Sequence, residues 1–137
     1  MKQHPYLRAY LAGIAVPTPL LLLIMGAFIG LRVVGNFTVP IERVIAFPMA
    51  VVPNLWGLWN MLFLKLHSGR WLSLGWHGAL LPALLMPLGF FMAQTQLTIP
   101  PTFVTSVYLI GWPFATAAYY LAWKFLVGYL NEMLGIA

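Results

Sequence analysis

The chain has 137 residues, 62% of them hydrophobic and only 7% charged, with a mean hydropathy of +0.90. Soluble domains carry about 25% charged residues, so this composition excludes an ordinary soluble fold. The formal net charge is +5, but the basic residues are scattered and form no stripe, which argues against nucleic acid as a partner.

About 20 apolar residues cross a bilayer, and four stretches reach that length, at about residues 9 to 33, 43 to 66, 73 to 95 and 102 to 128. The expected fold is an all-α integral membrane protein: one domain of four proline-kinked transmembrane helices in an antiparallel bundle with short loops. Every helix carries proline, at Pro17 and Pro19, Pro48 and Pro53, Pro82 and Pro87, and Pro113. An interior proline removes a backbone donor and frees the carbonyl four residues earlier. Lipid cannot satisfy that carbonyl, so these sites are expected to interrupt the helices and either knit them together or leave a polar waist.

In the first helix, Thr18 sits between two prolines, and a leucine run leads to Gly26 and Gly30, whose spacing of four allows close backbone approach. Its apolar run is longer than the 7 to 15 residues of a signal peptide, so it reads as a retained span. The second helix is the most unusual. Pro53, Asn54, Trp56 and Asn60 place two amides in hydrocarbon, where each needs a partner. Pro53, Trp56, Asn60 and Phe63 share one face and Asn54 lies about 100° away, so the amides are expected to clip different neighbours or to line a cavity.

The third helix carries a small-residue seam of Gly75, Ala79 and Ala83, with His77 near one end on a leucine face that reaches the headgroups. The fourth has a small face of Gly111, Ala115, Ala118 and Ala122. Beside it runs an aromatic face of Tyr108, Trp112, Thr116, Tyr119 and Trp123 at helical spacing. Helix packing or contact with a second protomer is the expected use of both stripes, and a cavity for flat apolar compounds is the alternative.

Lys2, Arg8, Lys65, Arg70 and Lys124 fall on one side of this topology, and Arg32, Glu42 and Arg43 on the other. The positive-inside rule then places both termini in the cytoplasm and the chain as a multi-pass protein of a bacterial inner membrane or plasma membrane.

Catalytic groups are scarce. Aspartate is absent and both glutamates, Glu42 and Glu132, lie near helix ends, so no carboxylate is available at depth for ion-coupled transport. With no cysteine there are no disulfides, thiol redox chemistry or thiolate ligands. Three scattered histidines lack metal-site spacing, so neither metal nor other cofactor is expected.

The composition therefore points to a small membrane protein that works by assembly without catalytic chemistry. Its expected partners are the lipid bilayer and either further copies of itself or other membrane subunits. One alternative is a channel or facilitator for a small neutral or aromatic solute, lined by Thr18, Asn54, Trp56, Asn60, Trp112 and Tyr119. Another is a lipid-handling enzyme at His67, Arg70 and His77.

Overall fold

Proline sets the joints of this chain, though not at every position where it occurs. The computed structural model describes residues 4–36, 41–66, 72–96 and 101–136, which are helical nearly throughout and contain no strand. Helices α1 (Pro5–Ala15) and α2 (Pro17–Gly35) form a first rod that is interrupted at Val16. Helix α3 (Ile41–Leu66) is the second rod, and α4 (Leu74–Ala79) and α5 (Leu81–Gln96) form the third, with a joint at Leu80. The fourth comprises α6 (Pro101–Leu121), a π-helical turn (Ala122–Val127) and α7 (Gly128–Met133).

Only two of the four expected interruptions break a helix. Pro17 and Pro82 occupy the first or second position of a new helix, where a missing N–H costs nothing. Pro48, Pro53, Pro87 and Pro113 instead lie inside continuous helices. At the Leu80 joint the carbonyl of His77 keeps only a long bond, 3.4 Å, from the Leu80 amide, and the indole Nε1 of Trp59 donates to it at 2.8 Å.

Two of the rods, Pro5–Gly35 and Leu74–Thr95, are long and apolar enough to cross a membrane. Helices α3 and α6 have comparable length, 26 and 21 residues. They interleave their apolar residues with Asn54 and Asn60, or with Tyr108, Thr116, Tyr119 and Tyr120.

Burial is concentrated at the end that holds both termini. Ala9, Ala12, Trp56, Asn60, Phe63, His77, Ala79, Leu81, Pro82, Leu85, Trp123, Val127 and Asn131 are among the buried side chains. Trp123 and Val127 are completely enclosed and project from the π-helical turn. Such a wide turn inserts a residue into the helical register, and here it brings Trp123, Val127 and Asn131 inward in succession. Helix α7 ends in a Schellman motif: Gly135 is left-handed at φ 63°, the Ile136 amide donates to Asn131 O at 2.8 Å, and the Gly135 amide donates to Glu132 O at 3.0 Å.

Toward the opposite end the helices bury little. Pro17 is the only buried residue of α2, while Leu23, Val33 and Val34 are 73%, 76% and 88% exposed.

Candidate functional site

The two asparagines of α3 are each drawn to specific partners. Asn60 is fully buried, and its Nδ2 donates to Ala9 O and to Asn131 Oδ1, both at 2.8 Å; Asn131 Nδ2 returns a bond to Asn60 Oδ1 at 3.1 Å. This two-way amide pair joins α1, α3 and α7. Arg8 reinforces the same end by donating from its guanidinium to Leu134 O, where a cation also complements the helix C-terminus. One turn or more along α3, Asn54 accepts a bond from the Tyr10 hydroxyl and donates to Ala50 O at 2.7 Å.

Glycines let these partners reach each other. A Cβ on Gly13 would lie 2.5 Å from Trp56 O and 2.7 Å from the Gly57 Cα, so α1 and α3 touch backbone to backbone. One on Gly57 would strike the Tyr10 ring at 2.5 Å. Across the bundle, Gly75 lies beneath the Tyr120 ring and Gly78 beneath Trp123.

An aromatic centre fills the space between these contacts. Trp56 meets Tyr119 edge-on with centroids 4.9 Å apart and lies 5.5 Å from Trp123. His77 is buried rather than reaching outward, with its ring 5.2 Å from Trp59, 5.3 Å from Phe63 and 6.3 Å from Trp123. The close approach at Gly78 lets Trp123 close over it. An apolar pocket of about 210 Å³ adjoins this cluster, between Trp59, Phe63, Leu72, His77 and Leu80.

The residues singled out in the sequence are therefore divided among separate places. Trp56, Asn60 and Tyr119 join the buried centre, with half-buried Pro53 just above. Thr18 is exposed and its hydroxyl donates to Ile14 O at 2.6 Å. Tyr108 and Trp112 lie farther along α6 and line a pocket of about 290 Å³ with Met86, Pro87 and Phe90.

Of the small residues, Gly75 and Ala79 are buried, whereas Ala83 and Ala118 are exposed. Gly111, Ala115 and Ala122 are half-buried, with Ala122 against the core and Gly111 near Met86. Around Gly26 and Gly30 a Cβ would find nothing within 4 Å.

Several contributors are not evident from the sequence. Asn131 follows Trp123 and Val127 at intervals of four, a spacing that marks it as part of an inward face rather than of a polar tail. Gly13 follows Ala9 at the same small-residue spacing of four, whereas Gly57 carries no comparable signal. His67 and Arg70 lie outside the described residues. Among the described residues, no three His, Asp or Glu side chains converge as metal ligands.

No protein-family model, curated protein or solved structure matches this chain.

Proposed function

We propose that this chain is a four-span membrane protein that works by assembly, with α2 as its contact surface and a second copy of itself as the neighbour. Both termini then lie on the cytoplasmic side, as the distribution of basic residues requires. The observation that carries this reading is the open Gly26–Gly30 face: two glycines spaced for close backbone approach, on a helix whose other residues beyond Pro17 are also unburied. Between helices in lipid, association depends on close packing rather than on the hydrophobic effect. A glycine face with nothing against it is the arrangement that a neighbouring helix completes.

A solute pathway has less support, because three of its candidate polar side chains, Thr18, Asn54 and Asn60, are already engaged. Thr18 is bonded to Ile14 O, Asn54 to Tyr10 and Ala50 O, and Asn60 to Asn131 and Ala9 O. A lipid-handling site is also less supported, since His77 is enclosed by three aromatic rings.

The absence of native cysteine makes a direct test simple. With cysteine at Gly30, oxidation in the membrane is expected to yield a disulfide-linked dimer. With cysteine at Phe28, about 160° around the helix, it is expected to yield far less. Equal yields at the two positions, or no dimer from either, would count against α2 as the interface.

A further inference from the structure

A second exposed feature lies where α4 meets α6. There an open groove of about 490 Å³ is lined by Trp76, Ala79, Pro113, Ala117, Tyr120 and Leu121. Trp76 is 58% exposed and meets Tyr120 edge-on with centroids 5.1 Å apart, forming one wall. The short side chains of Ala79 and Ala117 leave the groove deep enough for a chain to lie in it.

A cation stands at one end of this groove. Lys124 is exposed, and its ammonium lies 5.8 Å from the Tyr120 ring centroid and 5.2 Å from that of Phe125. Its side chain is thus held over the ring that also lines the groove, and no carboxylate meets it among the described residues. From Pro113 to Lys124 the helix rises roughly 16 Å at about 1.5 Å per residue, close to half of the ~30 Å hydrocarbon core. Groove and lysine together therefore span the length of one leaflet, with the positive charge just beyond the lining, where the headgroups of that leaflet lie.

We infer that this groove binds one anionic phospholipid, its acyl chain lying along Ala79, Ala117 and Pro113 and its phosphate facing Lys124. Charge selects the headgroup and the groove selects a single chain over the general annulus of lipid. Trp76 and Tyr120 sit near the phosphate end, where an amphipathic aromatic ring is favoured by the interface. This inference rests on the membrane-spanning reading above, but does not require that α2 form a dimer.

The test is native mass spectrometry of the full chain in detergent, titrated separately with phosphatidylglycerol and phosphatidylcholine. Wild-type protein is expected to retain a single phosphatidylglycerol about fivefold better than phosphatidylcholine, the selectivity that one lysine near an anionic headgroup provides. The exposed substitution Lys124→Gln is expected to bring the two lipids level, and Ala117→Phe, which fills the groove, to weaken retention of both. Equal retention of the two lipids by wild-type protein would overturn the inference, as would a preference that survives Lys124→Gln. A chain recovered without detergent in the soluble fraction would instead defeat the membrane reading itself.

Discussion

Replacing Asn60 with leucine is expected to destabilise the chain by about 3 kcal/mol, at roughly 1 kcal/mol for each of three interhelical hydrogen bonds. Leucine removes the bonds to Ala9 O and both bonds with Asn131, and it strands a fully buried amide on α7. The stranded amide is the larger concern, because an unsatisfied buried polar group costs more than a made bond contributes. Asn131→Leu should therefore be nearly as damaging. The double variant should fall short of the sum by at least about 1 kcal/mol, since neither amide is then left alone. Reversible unfolding in mixed micelles, followed by tryptophan fluorescence, measures all three. Additive single effects would show that the two amides do not act as a pair.

Gly13→Ala is expected to be the next most costly change, at about 1 to 3 kcal/mol for an overpacked contact. Its Cβ would meet a carbonyl oxygen at 2.5 Å and a Cα at 2.7 Å, both backbone atoms of α3. Neither can swing aside as a side-chain tip would, so α1 must move off α3. That movement also pulls Ala9 O away from Asn60 and the Tyr10 hydroxyl away from Asn54. Gly111→Ala is the matched control. There the added Cβ would lie 3.9 Å from Met86 Cε, an ordinary contact, and alanine also favours the helix by up to about 1 kcal/mol. The same unfolding experiment should separate the two variants. Equal stability for both would mean that α1 and α3 do not approach as closely as described.

The helices were readable from the sequence because length and apolar content are local properties. The expected first and third helices, about 9 to 33 and 73 to 95, correspond to rods spanning Pro5–Gly35 and Leu74–Gln96. The joints were only partly readable. A proline near the start of a new helix and one inside a continuous helix look alike until the path of the backbone is known. That Asn60 needs a partner follows from chemistry, but its partner lies 71 residues away and is found only by folding the chain.

Packing faces show the same limit. Gly26 and Gly30 have the spacing of a seam yet a Cβ on either would meet nothing within 4 Å, while Gly57, which belongs to no such repeat, meets Gly13 in a backbone-to-backbone helix contact. Spacing reveals that a helix can be approached closely, and only the arrangement of its neighbours determines where. The aromatic stripe of the fourth helix divides for a related reason. Tyr119 and Trp123 reach the core, while Trp112, farther toward the end where the helices bury little, remains 37% exposed.

If this protein acts in a membrane as part of an assembly, its mass when gently extracted from that membrane exceeds that of one chain. Native mass spectrometry of such an extract is expected to show a defined multiple of the 15.3 kDa chain, and substitution of Gly30 by leucine should reduce it to the single chain. A strictly monomeric, partner-free protein across mild detergents would rule out the proposed assembly.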